Sequence, residues 1–156
     1  MVITMKIDST GLRNDDKYNV HDDVFLGIAI DNERKRCTCT LERWQDGTAY
    51  ALQCENVLRV NYTCYETWGP SLRVYHLSVT SAREALAAVY DEERAECPQG
   101  HFSKITDGQY LFIEIILISG DVITIICKHA ILPDDKILPA SDGQSEQEAP
   151  LFNEGR

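Results

Sequence analysis

The stretch from Tyr110 to His129 constrains the chain most: Tyr-Leu-Phe-Ile-Glu-Ile-Ile-Leu-Ile, a turn at Ser119-Gly120-Asp121, then Val-Ile-Thr-Ile-Ile-Cys-Lys-His. Two segments rich in β-branched residues around a Gly-containing turn read as a β-hairpin, and each is far shorter than the ~20 apolar residues of a membrane-spanning helix. Leu111, Ile113, Ile115 and Leu117 fall on one side of the first strand, with Phe112, Ile116 and Ile118 on the other. Such a hairpin belongs at the centre of a sheet with cover on both faces. It defines a fold class and leaves the chemistry open.

Alternation continues elsewhere. Met1 to Asp8 reads as a strand, Ser9 to Asp23 as a loop, and Val24, Leu26, Ile28 and Ile30 as one face of the next strand. Cys37, Cys39 and Leu41 form the inward face of its neighbour, and the Asp46-Gly47 turn leads to Tyr50, Leu52 and Cys54. Val57 to Tyr62 continues the β pattern, Trp68-Gly69-Pro70 breaks it and Leu72 to Val79 restores it, and Ile131 to Leu138 reads as a short edge strand interrupted by Pro133. One segment differs in kind. Ser81-Ala82-Arg83-Glu84 has the form of a capping box, and Ala82, Ala85, Leu86, Val89 and Tyr90 follow at helical spacing, predicting an amphipathic helix over about 82–96.

The expected fold is therefore α+β: a twisted, mainly antiparallel sheet of about eight strands, folded as a sandwich or half-barrel, with that one helix packed on it. Residues 1–138 form a single β-rich domain. Residues 139–156 form a polar acidic tail whose composition suits disorder, with Leu151-Phe152 as its apolar exception.

The formal net charge is −10, from 25 acids against 15 bases. That balance argues against nucleic acid and anionic membranes as partners and favours a basic one. The N-terminus lacks a signal-peptide pattern, so the expected location is cytoplasmic, with its six cysteines reduced and mostly buried as small hydrophobes.

Candidate chemistry is sparse. Cys97, His101, Cys127 and His129 are zinc-ligand types, but their spacing fits a zinc site poorly, because Cys127 and His129 would share one face of a strand. His21-Asp22 matches the metal dyad of helical phosphohydrolases, yet here it leads into a strand, and an Asx corner at Asp22 or Asp23 explains it better. Acyl-transfer, nucleotide and dinucleotide motifs do not occur, so no cofactor, metal or catalytic residue is assigned, and an enzyme takes second place. The aromatic residues Trp44, Tyr65 and Trp68 at strand breaks, with the acids Asp91, Glu92, Glu93 and Glu96 on the helix, form the expected partner-binding surface.

The order of His21-Asp22, an alternating strand pair, Leu52-Gln53-Cys54-Glu55-Asn56-Val57-Leu58-Arg59-Val60, and a late hairpin with Ser119-Gly120-Asp121 resembles small bacterial β-rich proteins, some of them immunity proteins of toxin systems. The resemblance spans about residues 20–130, and the helical insertion between Ser81 and Gln109 departs from it. It implies a non-enzymatic binder that neutralises a basic partner, such as a toxin, by occlusion. A small-ligand-binding β-protein and a hydrolase or metal enzyme remain as alternatives, and pairing of two copies through a sheet edge stays open.

Overall fold

A computed structural model of the chain describes residues 4–8, 17–64, 71–82, 86–88, 91–92 and 110–138. Among the described residues nine strands form: β1 (Thr4–Asp8), β2 (Lys17–Tyr18), β3 (Val24–Asp31), β4 (Arg36–Glu42), β5 (Ala49–Thr63), β6 (Val74–Ser81), β7 (Leu111–Leu117), β8 (Val122–Pro133) and β9 (Ile137–Leu138). Seven of them make one antiparallel sheet in the order β3-β4-β5-β8-β7-β6, with β1 alongside β8, and β2 pairs with β9 as a separate ribbon.

The sheet is open but strongly curled. Its two outermost strands meet at one antiparallel bridge between Val24 and Arg73, where the Val74 N–H donates to the Asp23 carbonyl (2.7 Å) and the Phe25 N–H to that of Leu72 (2.8 Å). The concave side holds a single large core: Cys37, Cys39 and Leu41 of β4, Tyr50, Leu52 and Cys54 of β5, and the inward residues of β6, β7 and β8. The expected mainly antiparallel sheet is thus present, seven strands lining this core, with Tyr18 and Ile137 of the β2–β9 ribbon packed against it.

The opening hairpin is β7–β8, and its Gly120 (φ 97°) takes the left-handed backbone that the tight turn requires. Leu111, Ile113, Ile115 and Leu117 are all buried inward, whereas cover on the outer face is local. Ala82 and Leu86 pack over Ile126 there, with Tyr110 and Phe112 partly buried beside them, while Ile118 stays exposed. Leu86 N–H donates to the Ala82 carbonyl at 2.7 Å, and residues 86–88 and 91–92 are helical, which is the described part of the expected helix. The rest of that segment and the tail from residue 139 lie outside the described residues.

Two long strands pair at the middle of the sheet, and one expected boundary, at the end of the hairpin, needs correction. β5 runs unbroken for 15 residues, so the β pattern at Val57 to Tyr62 continues the strand of Tyr50 to Cys54, and β8 continues past His129 to Pro133, taking in the start of the expected edge strand at Ile131. In β8 the inward residues are Ile123, Ile125 and Cys127, then Ala130 and Leu132, so the alternation changes phase at Lys128-His129. Directly across, Asn56 adopts φ 54° between the pairs Glu55–His129 and Val57–Cys127. Both long strands bend together at this point. On the other edge of β8, pairing passes at the same bend from Leu111, the first residue of β7, opposite Cys127 to Asp8, the last residue of β1, opposite His129.

Candidate functional site

β3 begins at a corner where Asp22 is left-handed (φ 73°) and Asp23 is wholly buried. A buried carboxylate needs full hydrogen bonding or a partner charge. Asp23 has both. Its Oδ2 accepts from the Tyr50 hydroxyl (2.5 Å) and from Lys136 Nζ (2.7 Å), and its Oδ1 accepts the Trp44 backbone N–H (3.2 Å). The expected Asx corner is thus a longer-range device: the acceptor is Asp23, and its donors come from three other segments. Lys136, placed by sequence in an edge strand, is instead buried in the 3-10 turn Asp134–Lys136, with its ammonium 4.9 Å from the Tyr50 ring centroid.

Burial first, and then the bond to Asp23, push the Tyr50 phenol well above its ordinary pKa. Tyr50 is therefore a fixed donor. Its ring carries a second cation, since Arg43 stacks 4.9 Å from the centroid and holds both oxygens of Asp135 at 2.9 and 3.0 Å.

This buried cluster immobilises the β4–β5 loop. The Arg43 N–H donates to the Thr48 carbonyl (2.8 Å), and the Gly47 N–H (φ 75°) closes an α-turn onto the Arg43 carbonyl (2.9 Å). Asp46 accepts from the Thr48 N–H (3.0 Å) and hydroxyl (2.7 Å), bonds that hold its carboxyl below the usual range. At the crest stands Trp44, its side chain among the exposed large hydrophobics at 55%. Asp46 follows two residues later in the same loop, and Asp135 is held by the adjacent Arg43. Sequence reasoning passed over both of these acids. Asp46 was visible as a turn signal, but only the fold brings Asp135 to Arg43 across 92 residues.

Two of the other expected binding residues fall elsewhere. Asp91 and Glu92 are exposed, and Glu92 bridges Arg59 at 3.5 Å, ten residues further along β5 than Ala49 beside the Trp44 loop. That separation is about 33 Å of extended chain. Tyr65, Trp68, Glu93 and Glu96 lie outside the described residues.

Of the metal candidates, Cys127 is buried inward and His129 points outward to Glu55 Oε1 (2.8 Å), so the bend at Lys128 removes the shared face expected for them. Cys97 and His101 lie outside the described residues. His21 Nδ1 lies 3.0 Å from the Tyr75 carbonyl and its Nε2 3.8 Å from Asp22, at an exposed corner. No group of three or more metal-ligand side chains occurs among the described residues.

Fold and site together define a curled antiparallel β-protein that presents a pinned tryptophan. No family model matches the sequence, and no curated protein does. Among solved structures, an uncharacterized protein from Neisseria gonorrhoeae is similar with a TM-score of 0.38 at 11% identity, over 83% of this chain and 96% of that one. Among the described residues no helix is long and apolar enough to cross a membrane.

Proposed function

We propose that this chain is a non-enzymatic binding protein that occludes a basic protein partner, in the manner of an immunity-type inhibitor. The observation that carries the reading is Trp44: a large exposed side chain on a loop closed by its own hydrogen bonds and tied through the Trp44 N–H to buried Asp23. Ordering a mobile loop on binding costs affinity, whereas a pinned aromatic residue delivers its buried area with little entropy lost. The carboxylates of Asp46 and Asp135, within a chain of net charge −10, favour a cationic partner and speed its approach. Asp91 and Glu92 add to that field from a separate part of the surface.

Affinity capture from the native extract tests the reading. The wild-type protein recovers a basic protein at low salt, and Trp44→Ala loses it while retaining the wild-type melting temperature. Failure to recover any protein, or equal recovery by Trp44→Ala, contradicts the reading.

A further inference from the structure

A second surface differs in charge from the rest of the molecule. β4 stops pairing with β5 at Arg36–Glu55, while β5 continues along β8 to Thr63. Among the described residues, the other edge of β5 from Leu58 to Thr63 therefore has no strand beside it. Its six residues offer about 20 Å of extended backbone. Between this edge and the β3–β4 turn lies a groove of about 210 Å³. Ile30, Val57 and Leu58 are among its apolar walls, and Lys35, Arg36 and Arg59 are its cations.

Three bases against one acid, Asp31, is an inversion of the chain's overall balance. Asp31 is itself engaged, accepting the Glu33 and Arg34 N–H groups at 3.1 and 3.0 Å. Arg36 and Arg59 make only loose contacts, to Glu55 at 3.8 Å and Glu92 at 3.5 Å. Lys35 sits at φ 56°, and its carbonyl accepts the Val57 N–H at 2.9 Å, which fixes the turn against the strand edge.

We propose that this groove binds an extended acidic peptide segment, which adds as a strand to the Leu58–Thr63 edge of β5. Main-chain bonds to a free edge supply affinity in such complexes, and side-chain pockets supply selectivity. Here the apolar walls take alternate side chains of the peptide, and the cations take its carboxylates. Cations along an edge also repel the same edge of a second copy, so the charge selects an acidic strand over self-association.

The test is fluorescence polarisation with a labelled, end-capped hexapeptide of alternating glutamate and valine. The wild-type protein binds it saturably, and affinity falls about tenfold as salt rises from ~50 to ~300 mM, because partly exposed ion pairs are screened. Lys35→Asn, which keeps a residue tolerant of left-handed backbone, and Arg59→Gln each weaken binding several-fold at unchanged melting temperature. Glu92→Gln strengthens it by releasing Arg59. Methylation of alternate peptide amides abolishes it. Absence of saturable binding overturns the proposal, as does equal binding by the methylated peptide or by both charge-removal variants.

Discussion

Asp23 and Lys136 meet at 2.7 Å with both side chains out of solvent, 113 residues apart in sequence. The carboxylate also takes the Tyr50 hydroxyl and the Trp44 N–H, while the backbone of Asp23 stitches β3 to β6. One residue thus fastens the closing seam of the sheet, the 3-10 turn and the loop that presents Trp44.

Removing either charge alone strands the other in the core, so Asp23→Asn or Lys136→Met lowers stability by about 3–5 kcal/mol. The double variant loses clearly less than the sum of the two, since no unpaired charge remains. Urea unfolding of the four proteins measures the cycle. Strict additivity contradicts the pairing.

Tyr50 makes stability fall at alkaline pH. Its folded-state pKa is raised, by burial first and then by Asp23, so folding favours the protonated phenol. That contribution is complete below the unfolded value of about pH 10 and declines as pH rises beyond it. Denaturant midpoints from pH 8 to 11 drop more steeply in the wild type than in Tyr50→Phe. In native protein, absorbance at 295 nm shows the same tyrosinate amplitude for both until unfolding begins.

The shared bend of β5 and β8 depends on Asn56 at φ 54°. Asn56→Gly is accommodated, whereas Asn56→Val is less stable by about 1–2 kcal/mol, because a β-branched residue resists left-handed backbone. Thermal melts distinguish the two.

Cys37, Cys39, Cys54 and Cys127 are buried within one core, and Cys64 is exposed. Hydrogen bonding to neighbouring thiols and burial raise the pKa of Cys39 and of Cys54 far above the ordinary thiol range. In a Cys97→Ser background a disulfide reagent labels Cys64 rapidly, and the other four react only at the rate of unfolding. Rapid labelling of more than one thiol contradicts the packing.

Alternation alone exposed most of this sheet. Cys37 to Leu41 and Leu111 to Leu117 keep a strict period of two in their burial, whereas in β3 the expected face of Val24, Leu26, Ile28 and Ile30 does not form: a bulge between Phe25 and Gly27 turns Phe25 into the core and leaves Leu26 and Ile30 exposed. The pattern failed where the phase changes: Lys128-His129 made β8 look finished, although it runs on to Pro133. At the site, Trp44 was legible because a turn signal stands beside it. Lys136 was not, since a lysine among apolar residues reads as an exposed edge, and its partner is set by the closure of the sheet.

The central claim is that Trp44 enters the interface, and its own fluorescence reports this in a Trp68→Phe background, where it is the sole tryptophan. On addition of the captured basic partner, the Trp44 emission shifts to the blue and becomes protected from acrylamide. A partner that binds at full affinity while the Trp44 emission and its quenching stay unchanged contradicts the claim.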